Sequence, residues 1–232
     1  MIGIIGAMKI EVESLCAKLT DTQQETVSGI TFVRGKLYGK ELVVAQSGIG
    51  KVFAAICAQT MILRYAPEAI INTGVSGSLS PNLGVNDIAV SIACIQHDMD
   101  TSPLGDPVGM ISGINVIDFP SDQALAAQLC SAIDSLGYHY EQGVILSGDR
   151  FIGSVAEKTA LRQAFCGIAC DMESAAFAHV CYVNQTPFVA LRAISDCADG
   201  SADVSFAEFA ALAAERSLQV LDVMMRNSQK TF

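Results

Sequence analysis

Positive charge is scarce in this sequence. Of its 232 residues, 14 are Lys or Arg and 24 are Asp or Glu, which gives a formal net charge of −10. Tryptophan is absent, and charged residues of both signs make up only 16% of the chain. A protein that binds nucleic acid usually meets the phosphates with a basic face. The charge balance therefore argues against a nucleic-acid partner, and the hydrophobic content of 51% is enough for a large core.

Long apolar runs and a secretory leader are also lacking. No uninterrupted apolar stretch reaches the roughly 18 residues that are needed to cross a bilayer. The first apolar run is short, has no basic residues before it and is followed by Glu11 and Glu13, which is not the pattern of a signal peptide. We therefore expect a cytoplasmic protein with no membrane partner.

Paired cysteine motifs are missing as well. The eight cysteines include no CxxC spacing, and most lie in apolar runs, as Cys57 does in AAICAQ and Cys181 in AHVCYV. This pattern is typical of reduced, buried thiols. No histidine or second cysteine pair completes a metal-binding set beside Cys166 and Cys170. We expect neither a metal nor an organic cofactor.

Short apolar segments indicate buried strands, and helical patterns lie between them. The expected strands are residues 2–5, 30–38, 40–46, 69–73, 87–93, 140–146 and 188–194, with a hairpin turning at Gly39-Lys40. The expected helices are residues 10–19, 51–65, 122–136, 156–164, 171–184 and 205–227, the last with Ser205 as N-cap and Glu208 closing a capping box. No linker or repeat divides the chain. Residues 1–232 are therefore expected to form one α/β domain, with a mixed, mostly parallel sheet covered by helices on both faces.

Ligands of such sheets bind beyond the carboxyl ends of the strands, where this chain has loops rich in Gly, Ser and acidic residues. Three acids at expected strand or helix edges are candidates for catalysis: Glu11, Glu173 and Asp196. Asp196 ends a buried strand, where partial desolvation favours the protonated form and hence proton donation. Glu173 opens an apolar helix, where a carboxylate is stabilised and is able to accept hydrogen bonds from a vicinal diol. Ordinary helix caps and first-turn acids have the same positions, so the spacing alone leaves both interpretations open.

Two other motifs are incomplete. The segment Gly48-Ile49-Gly50-Lys51 resembles the end of a P-loop, but Ala45 stands where the first glycine is required. The three histidines are scattered, and no GxSxG elbow accompanies them. Neither hydrolysis of nucleoside triphosphates nor a hydrolase triad is expected.

Taken in order, the loops resemble those of the bacterial methylthioadenosine/S-adenosylhomocysteine nucleosidase family, which has the nucleoside phosphorylase-I fold. The resemblance covers nearly the whole chain. The segments that carry it are Ile4-Ile5-Gly6-Ala7-Met8 with Glu11, Ser47-Gly48-Ile49-Gly50-Lys51, Ile71-Asn72-Thr73-Gly74 with Gly77, Ser147-Gly148-Asp149 with Phe151-Ile152, Met172-Glu173, Arg192-Ala193-Ile194-Ser195-Asp196, and Ser205-Phe206 with Glu208-Phe209.

The resemblance implies a role for each matching position. Asp196, steadied by Ser195, would protonate N7 of the purine, and Glu11 would activate the attacking water near Ser76. The remaining positions, Gly77 among them, would bind substrate: Glu173 the ribose hydroxyls, Met172 the sugar, Phe151 the adenine face, Ile152 the adenine edge through its backbone, and Met8 and Ile49 the sugar and its 5′ side.

The resemblance also implies a reaction and an assembly. The reaction would be hydrolysis of the N-glycosidic bond of 5′-methylthioadenosine and S-adenosylhomocysteine in methionine salvage. The assembly would be a homodimer in which the partner contributes to the 5′ pocket. Three alternatives stay open: a phosphorylase, a nucleosidase for another 5′-modified adenosine such as aminodeoxyfutalosine, and a binding protein without turnover. An acid at position 196 suits adenine, because a carboxyl group can both donate to N7 and accept from the 6-amino group.

The chain departs from the family pattern at several places. Asp171 stands where Glu is common, and Arg150 stands beside the adenine loop where a small residue is usual. Val75-Ser76-Gly77-Ser78 replaces the more usual Ser-Ala-Gly-Gly, and residues 101–117 match poorly. We expect the change at residues 75–78 to affect the contact of Ser76 with substrate, and the change at residues 101–117 to affect the preference among 5′ substituents.

Overall fold

A mixed β-sheet with helices against it forms the framework of the protein. The structure, a computed structural model, describes residues 1–197 and 202–227. The strands are β1 (Ile2–Gly6), β2 (Thr20–Val27), β3 (Ile30–Leu37), β4 (Lys40–Gln46), β5 (Ala69–Ser78), β6 (Ile88–Gln96), β7 (Phe119–Pro120), β8 (Tyr140–Ser147), β9 (Gly167–Asp171) and β10 (Phe188–Asp196). The helices are α1 (Glu13–Lys18), α2 (Lys51–Tyr65), α3 (Gln123–Leu136), α4 (Val155–Phe165), α5 (Ser174–Val183) and α6 (Ala202–Asn227), and short 3-10 turns lie at Lys9–Glu11 and Ser102–Leu104.

The sheet has an open end and a closed end. At the open end β2, β3 and β4 form an antiparallel meander, and β4 continues in parallel to β1 and then to β5. At the other end β5 pairs with both β10 and β9, and β6 and β8 connect these two strands, so five strands close into a ring. The ring brings the ends of β5, β9 and β10 together, which is where the polar loops lie.

Helices cover both faces of the sheet, as the sequence predicts. In β1, Ile4 packs into a core cluster with α3 and α6, whereas its neighbour Ile5 packs into a second cluster with α2 and α5. The alternation continues in β4, where Leu42 and Val44 face the first cluster and Val43 and Ala45 face the second. Because successive side chains of a strand point to opposite faces, uniformly apolar strands require an apolar layer on each side.

All seven predicted strands are present, and α2 has the predicted bounds. Three strands were not predicted: β2, β7 and β9. The predicted helix over 10–19 is instead a 3-10 turn followed by the short α1, because the carboxylate of Glu11 accepts hydrogen bonds from the backbone of Ala7 and Met8. The predicted helix over 171–184 begins at Ser174, since Asp171 ends β9.

The last helix begins earlier than predicted. It starts at Ala202, which places Ser205 inside the helix and makes its assignment as N-cap wrong. The side chains of Ser205 and Glu208 lie outside the described residues, as therefore does the predicted capping box. Over the described ranges, no helix is both long and apolar enough to cross a membrane.

Candidate active site

A cavity of about 220 Å³ opens at the carboxyl ends of β1, β5, β9 and β10. It contains ten of the eleven predicted site residues, although these are spread between positions 8 and 196 of the sequence. The predicted residues in its lining are Met8, Glu11, Ile49, Ser76, Gly77, Phe151, Met172, Glu173, Ser195 and Asp196. Ala7, Val75, Cys170, Asp171 and Phe206 complete the described lining.

Ile152 is the predicted site residue that does not line the cavity. Its side chain is buried in a small cluster with Leu79, Ile95 and Leu146. The predicted role belongs to its backbone, which directly follows Phe151 at the cavity wall. The buried side chain anchors this segment to the core, and the backbone contact with adenine stays a prediction.

Glu11 is buried under the cavity floor and held by three backbone donors. Its Oε2 accepts from Ala7 N at 2.7 Å and Met8 N at 2.8 Å, and its Oε1 accepts from Val75 N at 3.1 Å. Burial raises the pKa of Glu11, and nearby Arg192 and the backbone donors only partly oppose this. A carboxylate with a raised pKa is a stronger base, so Glu11 is suited to accept a proton.

Glu173 precedes α5 and reaches across the cavity to the start of α2. Its Oε1 accepts from Gly50 N at 2.7 Å, and Gly50 is the N-cap of α2. Burial, reinforced by the negative charge of Asp171, raises the pKa of Glu173 to about 7, while Arg192 acts in the opposite direction. The predicted position of Glu173 at the start of an apolar helix is confirmed, but its side chain accepts a hydrogen bond from the start of α2 and not from α5.

Asp196 ends β10 at a break in the strand register. Pairing between β10 and β5 shifts between Ile194 and Asp196, so Ser195 lies at an irregularity of the kind that often redirects side chains near binding sites. Ser195 Oγ donates to Asp196 Oδ2 at 3.0 Å. A Cβ on Gly77 would lie 2.9 Å from Asp196 Oδ1, so the close approach of β5 to this carboxyl group requires glycine.

Arg192 is a buried cation for which no role was predicted. It is fully buried, its Nε lies 2.7 Å from Asp171 Oδ2, and its Nη2 donates to Asn72 and Ser174. Its Nη1 has no hydrogen-bond partner within the described part of the chain. A Cβ on Gly74 would meet both this nitrogen and Glu11 Oε1, so Arg192 lies close to Glu11. A lone Arg within an apolar strand is the one feature of the sequence that could have drawn attention to it.

Two aromatic rings form the outer wall. Phe151 is 50% exposed, and its ring meets that of Phe206 edge to face, with centroids 5.9 Å apart. Phe206 occurs in a resembling motif, but no role was predicted for it. An exposed ring above a buried acidic floor provides a flat apolar surface for a planar ligand such as a nucleobase.

Two departures from the family pattern lie outside the lining. Arg150 is exposed and pairs with Glu157 rather than reaching the cavity. In the atypical segment 101–117, Thr101 and Ser112 both donate to Asp106, so the segment has its own local hydrogen bonds. Ser76 does line the cavity, and its Oγ is buried with no hydrogen-bond partner among the described residues.

A larger hollow of about 620 Å³ lies between β6 and α3. Its walls are formed by Ser, Ala, Gln and other uncharged side chains together with one acid, Asp134. The smaller cavity has four acids, and burial raises the pKa of two of them, Glu11 and Glu173. Perturbed acids concentrated in a cleft indicate chemistry more strongly than volume does.

The ring-closed α/β sheet and the acidic cavity at its strand ends define a class of enzymes that act on nucleosides. The chain belongs to the phosphorylase superfamily, whose model matches residues 1–226. Within that family it is similar to the 5′-methylthioadenosine/S-adenosylhomocysteine nucleosidase of Staphylococcus haemolyticus, with 41% identity over 97% of this chain and 99% of that protein.

Solved structures agree with this placement. The nucleosidase of the same name from Neisseria meningitidis, in complex with methylthio-immucillin-A, has a TM-score of 0.94 and 36% identity over 97% of this chain and 98% of its own. The futalosine hydrolase of Helicobacter pylori strain 26695 has a TM-score of 0.92 and 35% identity over 96% of each chain.

Proposed function

We propose that this protein hydrolyses the N-glycosidic bond of 5′-methylthioadenosine and S-adenosylhomocysteine, releasing adenine and the thioribose product. The observation that carries the proposal is the meeting of Glu11, Glu173 and Asp196 in one small, largely apolar cavity. Glycosidic hydrolysis needs a group that protonates the leaving base, a group that holds the sugar and a group that activates water. Three acids in different environments meet these needs.

Proton donation to the base is the role of Asp196. Its protonated carboxyl group donates to N7 of adenine, so the base leaves as a neutral molecule when the bond from C1′ to N9 breaks. Ser195 holds one carboxyl oxygen at 3.0 Å and fixes the direction of the other. Phe151 stacks on the purine, and the backbone of Ile152 binds its edge.

The sugar lies between Glu173 and the two methionines of the lining. Glu173 accepts hydrogen bonds from the 2′- and 3′-hydroxyl groups, while Met8 and Met172 pack against the ribose. Ile49 lies towards the 5′ substituent. The bound diol keeps C1′ over the cavity floor, where positive charge develops as the base departs.

Water attack is directed from below by Glu11. The carboxylate takes a proton from the water as its oxygen bonds to C1′, which yields the free sugar. Ser76 Oγ lies unpartnered at this floor within the described structure and is able to bind the water. The three backbone bonds to Glu11 hold its oxygens in place.

Hydrolysis is favoured over phosphorolysis by the charge of the cavity. Its described lining contains four acids and no Lys, Arg or His. A phosphate ion would need cationic side chains or a nest of backbone N–H groups, and it would be repelled by Glu11. The futalosine hydrolase among the similar structures supports one second candidate, a nucleosidase for aminodeoxyfutalosine, since the same three acids serve that bond.

The decisive experiment measures adenine release from methylthioadenosine in phosphate-free buffer and again with added phosphate. Phosphate-independent release of free methylthioribose is the expected result. Release only with phosphate, yielding a sugar 1-phosphate, would replace the proposal with a phosphorylase. Parallel assays with S-adenosylhomocysteine and aminodeoxyfutalosine rank the 5′ substituents.

We further propose a cytoplasmic homodimer whose partner subunit completes the 5′ side of the cavity. Apolar side chains stand exposed along α2 and α5, which pack side by side: Val52, Phe53, Tyr182 and Val183. Ile49, which lines the cavity, is 56% exposed and continues this surface. Large exposed apolar patches usually mark contact surfaces. All eight cysteines are free thiols, which fits a reducing compartment.

A further inference from the structure

The start of α2 is held by acids that lie outside the cavity lining. Asp149, on the loop after β8, accepts from Lys51 N through Oδ1 at 2.8 Å. Asp98, on the turn after β6, accepts from Lys51 Nζ at 2.6 Å and from Asp149 N at 2.9 Å. These bonds tie two loops to the first residue of α2, and we call Lys51, Asp98 and Asp149 the α2 clamp.

The clamp is adjacent to a backbone donor that holds Glu173. Gly50 N donates to Glu173 Oε1 at 2.7 Å, and the next N–H along the chain is the one that Asp149 accepts. Gly50 has a φ of +95°, and a Cβ there would lie 3.1 Å from Asp149 Oδ1. The Gly50 N–H and the Lys51 N–H belong to neighbouring peptide units that share the Cα of Gly50, so the bond to Asp149 restrains the orientation of the unit that donates to Glu173.

We propose that the α2 clamp is a positioning device for the ribose-binding carboxylate. By fixing the Gly50 N–H, it holds Oε1 of Glu173 and presents Oε2 to the ribose hydroxyls of the substrate. The inference rests on the proposed function, since it assigns Glu173 to the sugar. Lys51, Asp98 and Asp149 are positioning residues that make no contact with substrate.

The test is a double-mutant cycle on kcat and KM with methylthioadenosine. Asp149→Ala removes the acceptor for Lys51 N, and we expect kcat/KM to fall about tenfold, as for coupled neighbours. In a Glu173→Gln background the same substitution is expected to lower kcat/KM by less than about twofold, because the carboxylate that the clamp positions is already absent. Asp149→Asn, whose amide oxygen still accepts, is expected to restore most of the activity. Asp122→Ala is the matched control, because Asp122 caps the distant α3 through Leu125 N at 2.9 Å and should leave kcat/KM unchanged.

A substrate series provides a second, independent arm. With 2′-deoxy and 3′-deoxy analogues of methylthioadenosine as substrates, Asp149→Ala should lower kcat/KM by a smaller factor, because each analogue lacks a hydroxyl group that Glu173 binds. If Asp149→Ala fails to fold, Asp98→Ala, which removes the acceptor for both Asp149 N and Lys51 Nζ, replaces it in the same cycle. If Asp149→Ala lowers kcat/KM by the same factor in the wild-type and Glu173→Gln backgrounds and on all substrates, the proposal is wrong. A wild-type enzyme that releases no adenine would instead refute the proposed function.

Discussion

At the scale of single residues, the cavity concentrates negative charge around one buried cation. Arg192 pairs with Asp171 and lies close to Glu11, and its charge lowers the proton affinity of both Glu11 and Glu173. Burial has the opposite effect on the proton affinity and is the larger of the two effects at both acids, because their pKa values are raised overall. Charge and burial therefore oppose each other at both acids, and the pKa of about 7 allows Glu173 to exchange a proton near neutral pH.

The first prediction concerns the proton donor. Asp196→Asn keeps the shape of the side chain but removes the proton that is delivered to N7. We expect kcat/KM on methylthioadenosine to fall by roughly 10²–10⁴-fold, which is the usual contribution of a general acid. Steady-state kinetics at several pH values measures the loss. Near-normal kcat/KM in this variant would remove Asp196 from the mechanism.

The second prediction concerns the pH dependence of stability at Glu173. Folding raises its pKa from 4.5 to about 7, so the folded state binds this proton more tightly than the unfolded state does. The resulting stability is complete below pH 4.5 and is lost as the pH rises through 7. A shift of this size corresponds to about 3 kcal/mol.

Glu173→Gln removes the ionisation and with it the pH-dependent loss. The free energy of unfolding of the variant, relative to wild type, should therefore increase by about 3 kcal/mol between pH 4 and pH 8. Urea unfolding at both pH values measures the difference. The same variant should lose activity, because the amide no longer accepts two hydroxyl donors. A difference in stability that stays constant with pH would contradict the assigned shift.

At the scale of secondary-structure elements, β5 allows the floor of the cavity to form. A Cβ on Gly74 would lie 2.2 Å from Arg192 Nη1 and 2.5 Å from Glu11 Oε1. We therefore expect Gly74→Ala to destabilise the protein by about 2–4 kcal/mol, because neither buried group has room to move. Thermal unfolding checks this. Gly84→Ala is the control, since its Cβ would meet only Asp87 at 3.6 Å, and equal melting temperatures for the two variants would argue against the clash.

The same scale shows what the sequence could predict. Strands such as β1 and β10 were predictable because most of their residues are apolar and buried. The acids that follow them were predicted as site residues because ligands of such sheets bind beyond the carboxyl ends of the strands. Strand β2 was missed because TDTQQETV has no apolar face, and its place depends on pairing with β3. The role of Arg192 was not predictable from spacing, because its partners lie on other elements of the sheet and helices.

At the scale of the whole molecule, the proposed dimer depends on α2 and α5. Phe53→Glu places a charge in their exposed apolar surface, so we expect a shift from dimer to monomer together with a loss of activity on methylthioadenosine. Sedimentation velocity measures the mass. Leu212→Glu is the control, because Leu212 is equally exposed on α6, which packs on the opposite face of the sheet. A wild-type chain that sediments as a monomer would contradict the proposal.

The ring of strands has a consequence for how the protein behaves in a crowded solution. A sheet edge with free N–H and C=O groups is a template for pairing with other chains, and native proteins protect such edges. Closing β5, β10, β6, β8 and β9 into a ring gives these apolar strands partners on both sides over part of their length. Along the described strand order, the open end is formed by β2, whose residues are polar except for Val27 and almost all exposed. The apolar strands, which are the most prone to aggregation, are therefore protected from intermolecular pairing. The edge at the open end belongs to β2, whose polar sequence is poorly suited to initiate such pairing.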